Sequence, residues 1–270
     1  MHTTWSDLLR PGDASDFFKR QAMPAFDPGT ADFIPGNALW LAELSRIIYR
    51  RDVQEQRVPP HPQRSRFLDE VGLRTLGFYA CARVGAQAML VQSDVLPTYA
   101  ALVFRGTEQD PRDLITDLDV GLATLSRRSV GVHRGFQRAL DSIWPNIEAR
   151  LRTLTCPVFY TGHSLGAAMA ILAAVRRAPR AVYAFGAPRV GNALFAAQTT
   201  DLTIHRVVHG ADLVTALPPT LLGYRHVGSR HLLPAQTIPQ APLSLRWRQP
   251  PRRLADHAPI HYVDALDKSP

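Results

Sequence analysis

Ser164 stands between two glycines in the run Thr161-Gly162-His163-Ser164-Leu165-Gly166. A serine in that setting suits nucleophilic chemistry: a sharp turn presents the hydroxyl at its tip, and side-chain-free neighbours two residues away let a strand and a helix pass closely. The flanks supply both elements, with Pro157-Val158-Phe159-Tyr160 as a short apolar run and Ala167 to Val175 as an alanine-rich one. The spacing predicts a nucleophile elbow with Ser164 at its apex. His163 and His133 have proton-transfer chemistry, yet both read as packing or hydrogen-bonding groups. A zinc site from His205 with His209, or from His257 with His261 at i and i+4, lacks a third ligand, so no metal is expected.

An elbow needs a sheet behind it, and strand-like runs recur along the chain. Trp40, Leu41, Leu44, Ile47 and Ile48 predict a helix from Gly36 to near Arg51, after which Pro59, Pro60 and Pro62 break the chain. Residues 71–78 and 89–92 are short apolar segments suited to sheet edges. Tyr99 to Phe104 is a buried-strand candidate that runs into Arg105-Gly106-Thr107. Residues 108–121 mix Asp110, Asp113, Asp117 and Asp119 with Leu114, Ile115 and Leu118, which suits a short surface helix that moves as a lid or caps the sheet. Phe136, Leu140, Ile143, Ile147 and Leu151 predict one long amphipathic helix kinked at Pro145. Further strands are expected at 181–185, before the loop 186–192, and at 204–208, which leads into Gly210-Ala211-Asp212. Strands alternating with helices predict an α/β fold: a mainly parallel central sheet flanked by helices on both faces. Thr107, Ser164 and Asp212 all fall just past strand ends, where sites gather in such sheets.

The 270 residues, 46% hydrophobic, suffice for one α/β domain over 1–270, with residues 1–35 as an irregular N-terminal arm laid down through Phe17, Phe18, Phe26 and Phe33. No apolar run is long enough to span a bilayer, and Asp7, Arg10, Asp13, Asp16 and Lys19 occupy the place of a signal peptide's apolar segment. With Cys81 and Cys156 read as reduced structural thiols, the expectation is a cytoplasmic chain, or one exported without a standard signal. The net charge of +8 is dispersed over arginines, lysine occurring only at Lys19 and Lys268, so no nucleic-acid partner is expected. Residues 232–253 are proline-rich and hold Arg246-Trp247-Arg248, which suits either a solvated loop or peripheral contact with an anionic lipid surface.

Five motifs in order give the chain a family resemblance: Val103-Phe104-Arg105-Gly106-Thr107, Val132-His133-Arg134-Gly135-Phe136, Thr161 to Ala167, Phe185 to Asn192, and Asp212-Leu213-Val214 before Leu217-Pro218-Pro219. From about Asn37 to Leu266 the chain resembles the class 3 (fungal-type) triacylglycerol lipases of the α/β-hydrolase fold. The resemblance implies Ser164 as nucleophile, Asp212 as the acid of a triad and a C-terminal histidine as its base. It also implies an oxyanion hole from Thr107 and the amide of Leu165. Asp256-His257-Ala258-Pro259-Ile260-His261-Tyr262 offers two bases, and the family's Asp-His pair followed by a tyrosine favours His257 over His261. The chain departs from the family at Ala211, where asparagine is common, at Thr215 for proline, and at Leu114 for tryptophan. The acidic rather than apolar 108–121 argues against interfacial activation on bulk fat.

A serine with such partners would hydrolyse a carboxylic ester through an acyl-enzyme, with no cofactor. The implied substrate is an acylglycerol or related lipid ester. The alternatives are a phospholipase A1, a soluble short-chain carboxylesterase, and, outside enzymes, a catalytically silent hydrolase-like binding module.

Overall fold

The computed structural model describes residues 4–19, 23–52, 55, 60–106, 129–235 and 250–268. Its frame is a seven-stranded sheet. β1 (Leu73–Cys81), β2 (Ala86–Ser93) and β3 (Ala100–Phe104) are antiparallel neighbours. From β3 onward the sheet is parallel through β4 (Val158–His163), β5 (Ala181–Phe185), β7 (Ile204–His209) and β9 (Ser229–Leu233). The short β6 (Gly191–Asn192) and β8 (Tyr224–Arg225) pair separately, antiparallel.

Side chains alternate across the strands, so the sheet divides two apolar layers. Ala100, Leu102 and Phe104 of β3 enter one, Ala101 and Val103 the other. The helices are α1 (Trp5–Leu9), α2 (Pro35–Ile47), α3 (Arg64–Asp69), α4 (Arg134–Asp141), α5 (Trp144–Leu151), α6 (Leu165–Arg176), α7 (Ala193–Ala197), α8 (Arg252–Ala255) and α9 (Pro259–Asp267). The first layer takes Phe136 and Leu140 of α4, Ile147 of α5 and Met169 of α6. The second takes Leu41 and Leu44 of α2 with Val263 and Leu266 of α9. This is the α/β-hydrolase arrangement, with helices on both faces of a mainly parallel sheet.

Three local outcomes differ from the sequence-based expectation. The helix predicted across 136–151 is two helices, α4 and α5, with Pro145 in the first turn of the second. Proline has no N–H to continue a helix but fits a first turn, so the chain breaks where a kink was expected. The apolar face persists across the break, since Phe136, Leu140, Ile143, Ile147 and Leu151 all lie in one layer. Second, β9 runs from Ser229 into the first two residues of 232–253, a segment read as a solvated loop or a lipid contact, and no strand was expected there. Third, the N-terminal segment carries α1, opened by a Thr4–Asp7 capping box, and a 3-10 turn at Pro11–Asp13. Phe17, Phe18 and Phe26 are buried against the body. Charged groups of α2 fasten this segment: Phe18 N donates to Glu43 Oε1 at 3.1 Å, and Arg46 Nη2 meets Asp16 Oδ1 at 2.6 Å.

Candidate active site

β4 passes into α6 through Ser164 alone, whose backbone is turned to φ 59° and ψ −125°. A left-handed φ at a serine costs about 1–3 kcal/mol and persists only where its surroundings hold it. Here Ser164 N donates to Phe185 O at 2.9 Å and Ser164 O accepts from Ala167 N at 3.0 Å. The flanking glycines are demanded by contact: a Cβ on Gly162 would lie 2.4 Å from Gly166 C, and one on Gly166 would lie 2.2 Å from Phe104 O. Ser164 Oγ is buried and has no hydrogen-bond partner among the described residues.

Asp212 leaves the end of β7 through a turn closed by its own N–H on His209 O at 3.1 Å. Its carboxylate is buried and receives three donors. Val214 N donates to Oδ1 at 2.9 Å, while Oδ2 accepts from His257 Nδ1 at 2.8 Å and from the Tyr262 hydroxyl at 2.5 Å. His257 lies between α8 and α9 and is itself buried. Burial, then the neighbouring Asp212 charge, holds the Tyr262 phenol well above its ordinary pKa, so it remains a donor.

Two further groups shape this pair. His163 Nε2 lies 2.8 Å from His257 O, a carbonyl that can only accept, so Nε2 carries the proton. Burial and then the nearby His257 push the His163 pKa well down, keeping the ring neutral. Gly186, at φ 58°, closes the other side: a Cβ there would lie 2.9 Å from Asp212 Oδ2, 3.0 Å from the Tyr262 hydroxyl and 3.1 Å from His257 Cε1. Only hydrogen fits.

The structure thus brings Asp212 and His257 together and sets Ser164 on its strained turn, with no hydrogen bond between Ser164 Oγ and His257. His261 is elsewhere, its ring stacked on His209 at 5.2 Å. His133 stacks on Phe136 at 4.1 Å, and burial lowers its pKa. Leu165 is the first residue of α6, so its amide is among the helix-start N–H groups that have no intrahelical acceptor. Thr107, the segment 108–121 and Arg246-Trp247-Arg248 lie outside the described residues. Gly106, just before Thr107, runs along the elbow, where a Cβ would lie 2.8 Å from His163 O. Among the described residues no three His, Cys, Asp or Glu side chains are grouped to hold a metal, and no helix is long and apolar enough to cross a membrane.

The family described as Lipase (class 3) matches residues 101–222. A Fusarium solani protein named secreted mono- and diacylglycerol lipase 1 is 40% identical over 134 residues, which are 45% of this chain and 40% of that protein. A Rhizopus niveus lipase is 35% identical over 144 residues, 47% of this chain and 36% of that one. The chain therefore spans less than half the length of these curated relatives. The solved structure of lipase II from Rhizopus niveus is 28% identical with a TM-score of 0.54, over 64% of this chain and 70% of that one. The cytoplasmic location expected from the polar N-terminus and the thiols is corrected here, because the Fusarium relative is named as a secreted enzyme, which points to export. Cys81 and Cys156 are free and half-buried, and two such thiols do not fix the compartment. The motifs, the strained elbow and these matches agree: residues 101–222 match the class 3 lipase family, and the fold is that of its α/β-hydrolase structures.

Proposed function

We propose that this chain is a serine carboxylic ester hydrolase of lipase type that acts on acylglycerols or related lipid esters. The observation that carries the reading is the 2.8 Å contact from His257 Nδ1 to the buried Asp212, with the His257 ring 4.4 Å from that of His163, the residue before a buried Ser164 hydroxyl that has no hydrogen-bond partner among the described residues. In this mechanism Ser164 Oγ attacks the ester carbonyl carbon while His257 Nε2 takes the hydroxyl proton. Asp212 keeps the proton of the neutral ring on Nδ1 and stabilises the imidazolium that forms. The tetrahedral oxyanion is received by the Leu165 amide and by Thr107, each such donor being worth roughly 100 to 1,000-fold in turnover. The alcohol leaves with the proton from His257, and water repeats the sequence to release the acid. That Ser164 Oγ makes no hydrogen bond to His257 is consistent with a free enzyme, where this bond commonly forms or tightens only on substrate binding.

Lipid is the favoured substrate because the Fusarium relative is named a mono- and diacylglycerol lipase. Peripheral contact with a lipid surface belongs to the same reading. The test is covalent labelling by a fluorophosphonate, expected on the parent chain and absent in Ser164→Ala. An unlabelled parent would mean a silent binding module. A series of acyl esters then resolves the substrate. A jump in rate above the solubility limit supports a lipase, a decline with chain length a soluble esterase, and phospholipid turnover a phospholipase A1.

A further inference from the structure

A cluster of arginines lies beside the loop that follows Asp212, apart from the groups proposed for chemistry. Arg206 of β7 and Arg230 of β9 are directly opposite in the sheet register, so both side chains leave the same face. Like charges in that relation repel, and Arg206 is buried besides. Its Nε donates to Val227 O at 2.7 Å. Arg189 donates from Nη1 to Pro218 O at 2.8 Å, and Arg225 from Nη1 to Thr220 O at 3.1 Å. None of these four guanidiniums is ion-paired to a carboxylate among the described residues. Their mutual proximity is felt electrostatically: burial, then Arg230 and Arg189, push the Arg206 pKa down to about 10. Burial, then Arg206 and Arg189, push His226 down to about 3.

The same arginines hold an apolar knuckle outward. Arg189 and Arg225 grip carbonyls on either side of Pro219, and the 3-10 turn Thr220–Leu222 leaves Leu221 92% and Leu222 43% exposed. Cations with no ion pair among the described residues, beside protruding leucines, match a boundary whose outer layer is anionic and whose inner layer is apolar.

We propose that Arg189, Arg206, Arg225 and Arg230, with the Leu221-Leu222 knuckle, form a docking edge for an anionic lipid surface. The exposed Arg225 and Arg230, with the half-buried Arg189, meet headgroup phosphates; the buried Arg206 adds positive charge behind them, and the leucines enter the apolar boundary beneath. This rests on the lipid-contact part of that reading, gives it a place and a headgroup charge, and is measurable without turnover.

The test is co-sedimentation of the full chain with vesicles of phosphatidylcholine alone and with vesicles that also contain phosphatidylglycerol, at low and high salt. Anionic vesicles should capture more protein, and salt should remove the excess. Arg230→Gln should weaken anionic capture about fivefold, the effect of one basic side chain near such a surface. Arg230→Lys should retain it, and Leu221→Ser should lower capture by both kinds of vesicle. Hydrolysis of a water-soluble ester, together with an unchanged thermal midpoint, reports that each variant is folded. If the parent hydrolyses no ester, the midpoint alone serves, so failure of the hydrolase reading stays separate from failure of docking. Equal capture by neutral and anionic vesicles at low salt overturns the proposal, as does undiminished capture of Arg230→Gln. Displacement from anionic vesicles by inorganic phosphate at constant ionic strength also overturns it, in favour of a discrete phosphate pocket.

Discussion

Asp212 is held by more than its histidine, and the consequences are open to measurement. Tyr262→Phe keeps the ring and deletes only the donor to Oδ2. A hydrogen bond to a charged group contributes about 1.5–3 kcal/mol, so turnover is expected to fall roughly 10 to 100-fold with KM little changed. A fall in stability alone, with turnover per folded molecule intact, would reduce Tyr262 to a packing role. His257→Ala should abolish turnover, whereas His261→Ala should spare most of it because its ring packs on His209 rather than on Asp212. Comparing the two variants under saturating substrate checks this directly. Ser164 was legible in the sequence because close packing forces glycine at two fixed offsets, and glycine is easy to see. The pairing of Asp212 with His257 required the family resemblance, since 45 residues separate them. Tyr262 and Gly186 were visible as residue types but not as partners of the acid. Where a helical tyrosine aims depends on how α9 packs, and spacing does not report that.

At the scale of elements, the elbow is one mechanical unit made from β3, β4 and α6. Gly166→Ala places a methyl group 2.2 Å from Phe104 O, a backbone atom inside a strand that cannot move aside. The expected result is loss of soluble folded protein, or a drop of several kcal/mol in denaturant stability. Gly186→Ala is a milder probe. Its Cβ meets side chains of the acid, its histidine and Tyr262, so activity should fall well before the fold does. Solubility and urea midpoints of the two variants, set beside turnover, separate these outcomes; a soluble, active Gly166→Ala would contradict the packing argument. The same scale shows why some elements were readable. β3, β4 and β5 are buried on both faces and therefore appear as continuous apolar runs. β9 closes the sheet's edge with Ser229, Arg230 and His231, mostly exposed, ahead of only two leucines, so no continuous apolar run marks it. The break between α4 and α5 was hidden because both helices keep one apolar face toward the same layer.

For the molecule as a whole, seven of the ten histidines share a fate that composition does not reveal. His133, His163, His205, His209, His226, His231 and His261 all have their pKa values lowered, in each case first by burial. The unfolded chain binds protons at these sites near the ordinary 6.5, while the folded chain resists until lower pH. Stability is therefore fully present above the unfolded value and is lost as pH falls through that value toward the folded one. For His226 the window runs from 6.5 down to about 3. Carboxylates contribute acid sensitivity too, but chiefly below about pH 4.5. The histidine contribution is thus isolated between about pH 6.5 and about pH 4.5, where the urea midpoint is expected to decline steadily. His226→Gln can still donate to Thr215 O, the contact the ring makes at 2.8 Å, but it takes no proton when unfolded. Its midpoint should decline less steeply across that interval than the parent's. Parallel declines would remove His226 from the account, and a flat parent profile would mean that the buried histidines are protonated in the folded chain as readily as in the unfolded one.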